Sequence, residues 1–242
     1  MNQERILPFC AIKNRIDEEC EFSGIDCEEH CFSPAHFKNY PHKISYKFNS
    51  RGFRDSEWPQ DHLLSSAVWC LGDSFTVGIG VPYEHTWPYL LQQKLNQRTI
   101  NVSMDGASND WIARRAKQIL DQLAPRNMVV MWSYVHRREN PDNSLADEDR
   151  LMFCDARRDS DSVDDRANLQ VCRTQLQDTR SHVIEAAIPN FCVFASHETA
   201  KERDNVCGGI LMIHQLDLAR DGHHFDILTA EHFVQALLPR LY

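Results

Sequence analysis

A serine, a histidine and an aspartate stand in two short segments whose residue types suit nucleophilic chemistry. Ser74 follows the apolar run at 67–71 through Gly72 and Asp73, which predicts a buried strand that presents the serine on a sharp turn. Near the carboxyl end, Asp221 precedes His224 by three residues, so the carboxylate can hold Nδ1 of the ring. Nε2 is then free to take a proton from a hydroxyl. This set predicts nucleophilic catalysis by a serine hydroxyl with a histidine as its base.

Each of the two segments also has a simpler interpretation. The Gly-Asp-Ser string is compatible with a strand-to-helix turn in which Asp73 or Ser74 only caps the helix. Asp221 and Gly222 are compatible with a plain turn, and the neighbouring His223 competes with His224 for the role of base. The three-residue spacing favours His224, and the agreement of separate segments favours catalysis over a cap.

Several blocks of the sequence resemble the SGNH/GDSL hydrolases. Residues 72–76, Gly-Asp-Ser-Phe-Thr, are similar to the first block of that family, and residues 221–224 are similar to its last block. Residues 101–106 resemble the second block, in which a glycine N–H joins the N–H of the nucleophile in the oxyanion hole. The resemblance gives that role to Gly106 beside Ser74. Residues 49–54 resemble a segment that often precedes the nucleophile in one branch of the family.

The resemblance implies a fold, an activity and a set of site residues. The implied fold is a three-layer α/β/α sandwich around a flavodoxin-like parallel sheet, and the implied triad is Ser74, His224 and Asp221. The implied activity is hydrolysis of a small or carbohydrate-linked acyl ester, acetyl esters included, without a metal or an organic cofactor. Two alternatives stay open: an acyltransferase that uses the same triad, and a binding protein that has kept the fold with weakened chemistry.

The third block departs from the family pattern. An asparagine side chain normally completes the oxyanion hole there, and the aligned position is about Val135, which has no donor in its side chain. A neighbour would have to replace the asparagine if activity is to be fast. The candidates for oxyanion or substrate contacts are Asp73, Ser133, Tyr134, His136 and Arg137, with Asn109 and Asn140 also near in sequence and Arg54 expected to line the substrate pocket.

The rest of the chain alternates between strand-like and helix-like patterns. Short apolar or β-prone runs at 67–71, 99–102, 128–132, 182–188 and 210–216 predict strands. Apolar stripes at 86–95 and 111–123 predict helices between them, a further helix is compatible with 168–180, and an amphipathic helix is predicted at 229–241. Alternation of this kind is typical of a parallel sheet covered by helices.

The length of 242 residues fits one α/β domain with an appended segment. We place the hydrolase-like domain at 65–242 and an amino-terminal extension at 1–64, packed on the core near the site. Residues 139–165 are dense in Asp, Arg, Ser and Asn, so they predict an exposed polar excursion.

The composition of the chain limits the classes of binding partner and the cellular compartment. The formal net charge of -9 argues against electrostatic binding to nucleic acid or anionic lipid and favours a neutral or cationic small substrate. The resemblance implies that this partner is a small-molecule ester. No apolar run is long enough to span a bilayer, and residues 1–10 lack the apolar core of a signal peptide. Nine scattered cysteines suit a reducing compartment, so we expect a cytoplasmic protein.

Two metal sites are weaker alternatives. A cluster of soft ligands in the extension is compatible with zinc, although its spacing is not the usual C-x-x-C, and it consists of Cys20, Cys27, His30, Cys31 and His36. A hydrolytic dimetal centre of a phosphoesterase is compatible with Asp73, Asp221, His223, His224 and Asp226. The second alternative leaves Ser74 and Gly106 without a role.

Overall fold

The computed structural model describes residues 11–140, 142, 144–153, 165–177, 179–188 and 207–241. The strands in chain order are β1 (Glu19–Cys20), β2 (Tyr46–Lys47), β3 (Val68–Gly72), β4 (Thr99–Ser103), β5 (Asn127–Met131), β6 (Arg137–Glu139), β7 (Leu151–Phe153), β8 (His182–Ala187) and β9 (Leu211–Met212). The helices are α1 (Pro34–Asn39), α2 (Asp61–Leu64), α3 (Ser74–Val77), α4 (Trp87–Leu95), α5 (Asn109–Leu123), α6 (Asp165–Thr174) and α7 (Ile227–Leu237).

Five parallel strands form the central sheet, in the order β4-β3-β5-β8-β9. Every residue of β3, β4 and β5 is buried, because helices cover both faces of the sheet. Counted along the chain, this order is 2-1-3-4-5, the flavodoxin-like arrangement. The strand order reverses between β3 and β5, and such sheets bind ligands in the crevice outside the carboxyl ends of the strands at that point.

Helices complete the three layers. The helix α4 packs against α7, and α5 packs against α6. The helix α5 shows why these segments are helical: the Ser108 hydroxyl accepts a hydrogen bond from the N–H of Trp111 at 3.2 Å, and the chain leaves the helix at Ala124 just before Pro125. The predicted α/β/α fold with a flavodoxin-like sheet is confirmed.

The structure shifts some predicted boundaries. The last helix begins at Ile227, because the side chain of Asp226 caps it, and it ends at Leu237 before a 3₁₀ turn that contains Pro239. The helix at 168–180 is observed as α6, Asp165–Thr174, and the strand at 210–216 is limited to Leu211–Met212. None of the helices within the described ranges is long and apolar enough to cross a membrane.

The amino-terminal extension is attached to the loop that carries Asp221 and His224. Asp26 is fully buried and forms an ion pair with Arg220, with Nη2 and Oδ2 2.6 Å apart. The Tyr46 hydroxyl donates to the same carboxylate and accepts from the N–H of Gly80 at 2.8 Å. These buried polar contacts satisfy one another, so the extension, the loop after α3 and the loop before α7 hold each other in place.

The expected exposed polar excursion at 139–165 is mixed in the part that the structure describes: Asp142, Ser144, Leu145 and Asp149 are exposed, whereas the two ends of that part pair with each other. Strands β6 and β7 pair as an antiparallel hairpin, with Arg137 opposite Phe153. The carboxylate of Glu139 lies 2.5 Å from Arg114 Nη2 and 3.7 Å from Arg150 Nε, and all three side chains are mostly buried. These charged side chains can be buried in the hairpin because each of them has a partner of opposite charge. Residues 154–164 lie outside the described residues.

Candidate active site

Ser74 lies at the carboxyl end of β3 as the first residue of the short helix α3. The Asp73 side chain caps this helix by accepting the N–H of Phe75 at 3.1 Å. Gly72 makes the tight turn feasible, since a Cβ on it would lie 2.1 Å from Thr76 Oγ1. As the first residue of the helix, Ser74 has an N–H without an acceptor inside the helix, so it points out of the helix end.

The loop between β9 and α7 brings an aspartate and a histidine to this serine. Asp221 Oδ1 accepts the backbone N–H groups of His223 and His224 at 2.9 and 3.0 Å, and Oδ2 is bonded to Nδ1 of His224. Nε2 of His224 lies 2.7 Å from the hydroxyl oxygen of Ser74. The three side chains are buried, with Asp221 fully shielded from solvent. They form one continuous row of hydrogen bonds with the geometry of a nucleophile, a base and an orienting carboxylate.

Electrostatics favours an ionised carboxylate at the end of this row. Burial alone would raise the pKa of Asp221, but the hydrogen bond from His224 and the two backbone N–H groups outweigh burial, and the pKa lies below its ordinary value. An Asp221 that is ionised at neutral pH keeps the proton of the imidazole on Nδ1 and leaves Nε2 as the acceptor that faces Ser74.

His223 has a different environment from its neighbour. Its Nε2 lies 3.3 Å from the hydroxyl of Tyr134, and its ring stacks on Phe32 with the centroids 4.6 Å apart. Burial, followed by the charge of His224, lowers the pKa of His223. The hydrogen bond to Ser74 is made by His224, as the three-residue spacing predicts.

The end of β5 carries a compact polar cluster beside Asp73. The Ser133 hydroxyl donates to Asp73 Oδ2 at 2.7 Å, and Arg137 Nη1 lies 3.1 Å from the same oxygen and 2.9 Å from Ser133 Oγ. The guanidinium also lies over the ring of Tyr134, 4.9 Å from its centroid. Because Asp73 is fully buried, it needs the positive charge of Arg137. The structure therefore brings four of the suggested residues together.

The other residues considered near the third block have different places. Val135 is 2% exposed and belongs to the hydrophobic core. The Asn109 amide is occupied at both ends, since Nδ2 donates to the carbonyl of Ser133 and Oδ1 accepts its N–H. The ring of His136 packs against Tyr134, and Asn140 Oδ1 accepts the N–H of Asp142 at 2.9 Å in the hairpin.

Gly106 follows β4 in a turn and has φ +73°, a left-handed conformation that glycine adopts without strain. The residue before it, Asp105, faces the extension so closely that a Cβ on Gly24 would lie 2.3 Å from Asp105 Oδ2. Burial raises the pKa of Asp105, against the lowering effects of His224 and then of Arg137. The contact between Asp105 and the extension carries no sequence signal, because it joins segments about eighty residues apart.

The expected place of Arg54 in the substrate pocket requires correction. Its side chain is 1% exposed and lies under α3, where it donates to the carbonyl oxygens of Gly78 and Val81. The guanidinium also contacts the ring face of Tyr46 at 4.3 Å from the centroid. A buried guanidinium needs acceptors on the protein, and these carbonyls supply them. Arg54 therefore supports the loop after Ser74 instead of contacting substrate.

Neither alternative metal cluster is assembled within the described ranges. No group of three or more histidine, cysteine, aspartate or glutamate side chains in that part of the chain is arranged to hold a metal ion. The carboxylate of Asp221 is directed at His224, and Asp226 accepts hydrogen bonds from Tyr40 and His85. The cysteines of the extension, Cys20, Cys27 and Cys31, are free thiols.

Comparison with known proteins gives matches to solved structures. No family model matches the chain, and no curated protein matches it. The esterase EstA from Pseudoalteromonas sp. is 15% identical, with 73% of this chain and 96% of that chain covered at a TM-score of 0.44. A lipolytic protein of the G-D-S-L family from Desulfitobacterium hafniense is 16% identical, with 71% and 99% covered at a TM-score of 0.38.

A third match is a family two carbohydrate esterase from Clostridium thermocellum, solved in complex with cellohexaose. It is 12% identical, and the match covers 76% of this chain and 67% of that chain at a TM-score of 0.40. One fold hosts many activities, so the function of this chain depends on its own site residues.

Proposed function

We propose that the chain is a serine esterase that hydrolyses a small or carbohydrate-linked acyl ester, with acetyl esters the first to test. The observation that supports this proposal is the position of His224, whose Nε2 lies 2.7 Å from Ser74 Oγ while its Nδ1 is bonded to Asp221. All three residues lie at the carboxyl edge of the sheet, beside the point where the strand order reverses.

The proposed reaction has two halves. In the first, Ser74 Oγ bonds to the ester carbonyl carbon while Nε2 of His224 accepts the hydroxyl proton, and that proton then leaves with the alcohol as the carbon–oxygen bond breaks. In the second, water attacks the acyl-serine, His224 takes a proton from the water and returns one to Ser74, and the carboxylic acid is released. Asp221 orients the imidazole and stabilises its positive charge in both halves.

The negative charge that develops on the carbonyl oxygen needs hydrogen-bond donors on the side of Ser74 that faces away from His224. The resemblance assigns the backbone N–H groups of Ser74 and Gly106, and the first of these lies at a helix end. The third donor of the family is absent, because Val135 is apolar and the Asn109 amide is bonded to Ser133. Arg137 brings a positive charge to this edge of the sheet, since its Nη1 contacts Asp73 and lies 3.5 Å from the carbonyl oxygen of Ala107, the residue after Gly106. We assign it electrostatic support of the oxyanion.

Turnover of p-nitrophenyl acetate by the wild type and by Ser74→Ala tests this proposal. We expect the variant to lose at least about 10⁴-fold in kcat, because removing a serine nucleophile abolishes the covalent step. A fluorophosphonate should label the wild type at Ser74 and leave Ser74→Ala unlabelled. Ser66→Ala is the matched control, since this exposed hydroxyl only donates to the Leu63 carbonyl. Equal rates for wild type and Ser74→Ala would refute the proposal.

A binding protein with weakened chemistry is the second candidate, and the buried Val135 is the observation that favours it. This candidate expects a low rate of p-nitrophenyl acetate turnover that does not change in Ser74→Ala. It also expects slow labelling by fluorophosphonate. The same pair of measurements therefore separates the two candidates.

The compartment is also a proposal. The described cysteines are free thiols, namely Cys20, Cys27, Cys31, Cys70, Cys172 and Cys207. Free thiols persist in reducing compartments, which favours a cytoplasmic location. Non-reducing mass spectrometry of the protein purified under alkylating conditions tests this, and a disulfide between any two of these residues would contradict it.

A further inference from the structure

The amino-terminal extension places an exposed aromatic ring beside the loop that carries Asp221 and His224. Phe32 is 67% exposed, although its own N–H donates to the carbonyl of Asp221 at 2.8 Å. The next residue, Ser33, packs on Gly222 so closely that a Cβ on this glycine would lie 2.9 Å from Ser33 Cβ. The backbone of Phe32 is thus fixed to the loop while much of its ring remains open to solvent.

The ring of Phe32 is the outer end of a row of rings that leads to the proposed base. It stacks on His223 with centroids 4.6 Å apart and an interplanar angle of 18°. The ring of His223 lies 5.0 Å from that of His224, and its Nε2 is 3.3 Å from the hydroxyl of Tyr134. An apolar surface with one polar edge therefore extends from solvent to the imidazole that faces Ser74.

The direction of proton transfer predicts whether the alcohol part or the acyl part of an ester contacts this surface. Nε2 of His224 must deliver its proton to the oxygen of the departing alcohol, so the alcohol lies on the side of His224. In the proposed mechanism, the carbonyl oxygen of the ester points away from His224, towards the N–H groups of Ser74 and Gly106. His223 is part of the loop that carries His224, and Phe32 is hydrogen-bonded to that loop. Both rings therefore lie on the side of Ser74 where the alcohol of the ester is expected.

We propose that Phe32 and His223 form the binding surface for the alcohol of the substrate, and that they select esters whose alcohol has a flat apolar face, such as an aryl group or the face of a sugar ring. This inference rests on the proposed esterase function. Flat groups gain from stacking on an exposed ring, whereas a short alkyl alcohol covers too little of it.

Two acetate esters with different alcohols test this inference on the full-length protein. Phe32→Ala should lower kcat/KM for 1-naphthyl acetate by about three- to tenfold, the range expected for one lost stacking contact, mainly through KM. For ethyl acetate the loss should stay below about twofold, because little stacking is lost. Comparing wild type with variant for each ester cancels the different reactivities of the two leaving groups. Phe32→Trp keeps a flat ring and should restore the preference for the naphthyl ester.

Phe22→Ala is the matched control, because Phe22 is an exposed phenylalanine of the same extension, 50% exposed, whose ring stacks on Phe37 instead of His223. Its ratio of the two esters should equal that of the wild type. An equal loss on both esters in Phe32→Ala would overturn the inference, because it would mean that Phe32 only supports the loop. No loss on either ester would overturn it too.

A series that varies the acyl group distinguishes the two sides of the site. With the alcohol fixed as p-nitrophenol, the ratio of wild type to Phe32→Ala should be the same for acetate and butyrate. A ratio that grows with acyl length would place Phe32 on the acyl side and refute the inference. Failure of the esterase function is recognised separately, since Ser74→Ala would then turn over every ester as fast as the wild type.

Discussion

Two regions flank Ser74, and they are built on different principles. On one side, the loop at 221–224 orders itself, because the Asp221 carboxylate binds the N–H groups of the next turn and the ring of His224. On the other side, the end of β5 is ordered by an ion pair that joins segments 64 residues apart, between Asp73 and Arg137. The first region directs its polar atoms at the serine, whereas the second directs them at one another.

This difference predicts which of the two regions contributes more to catalysis. In the proposed mechanism, each polar contact of the 221–224 loop contributes to the proton transfer that Ser74 needs. At the end of β5, Ser133 donates to the buried carboxylate of Asp73, Arg137 neutralises its charge, and Val135 is buried in the core. We therefore expect transition-state stabilisation there to depend on the charge of Arg137 and on backbone N–H groups. Variants on the two sides should therefore differ in size of effect and in kind.

The largest effect should come from the 221–224 loop. Asp221→Asn keeps the size of the side chain but removes the charge that holds the proton on Nδ1 of His224, so kcat for p-nitrophenyl acetate should fall by about 10⁴-fold. Steady-state kinetics checks this fall. Labelling of Ser74 by fluorophosphonate should slow in parallel, because the same base activates the serine.

Asp226→Asn is the control for that variant. Asp226 lies two residues beyond His224, caps α7 and accepts hydrogen bonds from Tyr40 and His85. Its substitution should change kcat by less than about fivefold, because its carboxylate is directed at Tyr40, at His85 and at the start of α7, and an asparagine still caps a helix. A loss as large as that of Asp221→Asn would break the distinction between the orienting carboxylate and its neighbours.

At the end of β5 we expect a mixed effect. Arg137→Gln should lower kcat by about tenfold or more, because a positive charge near the oxyanion is lost. It should also lower the free energy of unfolding by about 3 kcal/mol, because Asp73 is left buried without its partner. Urea unfolding and steady-state kinetics measure the two effects separately.

The double variant Asp73→Asn with Arg137→Gln separates these two effects. Asparagine is still a good cap for α3 and carries no charge that needs a partner, so most of the lost stability should return. The rate should stay low if Arg137 supports the oxyanion electrostatically. Recovery of both stability and rate would show that Arg137 serves only Asp73.

A smaller effect should follow from placing an amide at position 135. Val135→Asn should lower the free energy of unfolding by about 1–3 kcal/mol, because the side chain is buried in the hydrophobic core and its amide would lack partners. We expect no gain in kcat, because the side chain packs in the core. A rate increase with p-nitrophenyl acetate would show that position 135 faces the oxyanion. It would contradict the conclusion that the side chains at the end of β5 are directed at one another and not at the serine.

The same contrast explains what the sequence could predict. The order of strands and helices follows from local apolar patterns, and the link between Asp221 and His224 follows from a three-residue spacing. The buried role of Arg54, the bond from Phe32 to Asp221 and the ion pair between Asp26 and Arg220 join segments far apart in the chain. Polar residues of this kind carry no periodic signal, so only the folded chain shows their partners.

The smallest effect that we expect is on the free energy of unfolding in acid, and it tests whether Asp221 is ionised in the 221–224 loop. The folded-state pKa of Asp221 lies below its ordinary value of 3.8, so its ionised form stabilises the fold above that pH, and this contribution is lost as the pH falls through the folded-state pKa. Asp221→Asn lacks this contribution at every pH. The difference in unfolding free energy between wild type and variant should therefore shrink as the pH falls below 3.8, measured by urea unfolding at several pH values. A difference that stays constant would mean that the carboxylate is not held ionised by His224 and the two backbone N–H groups.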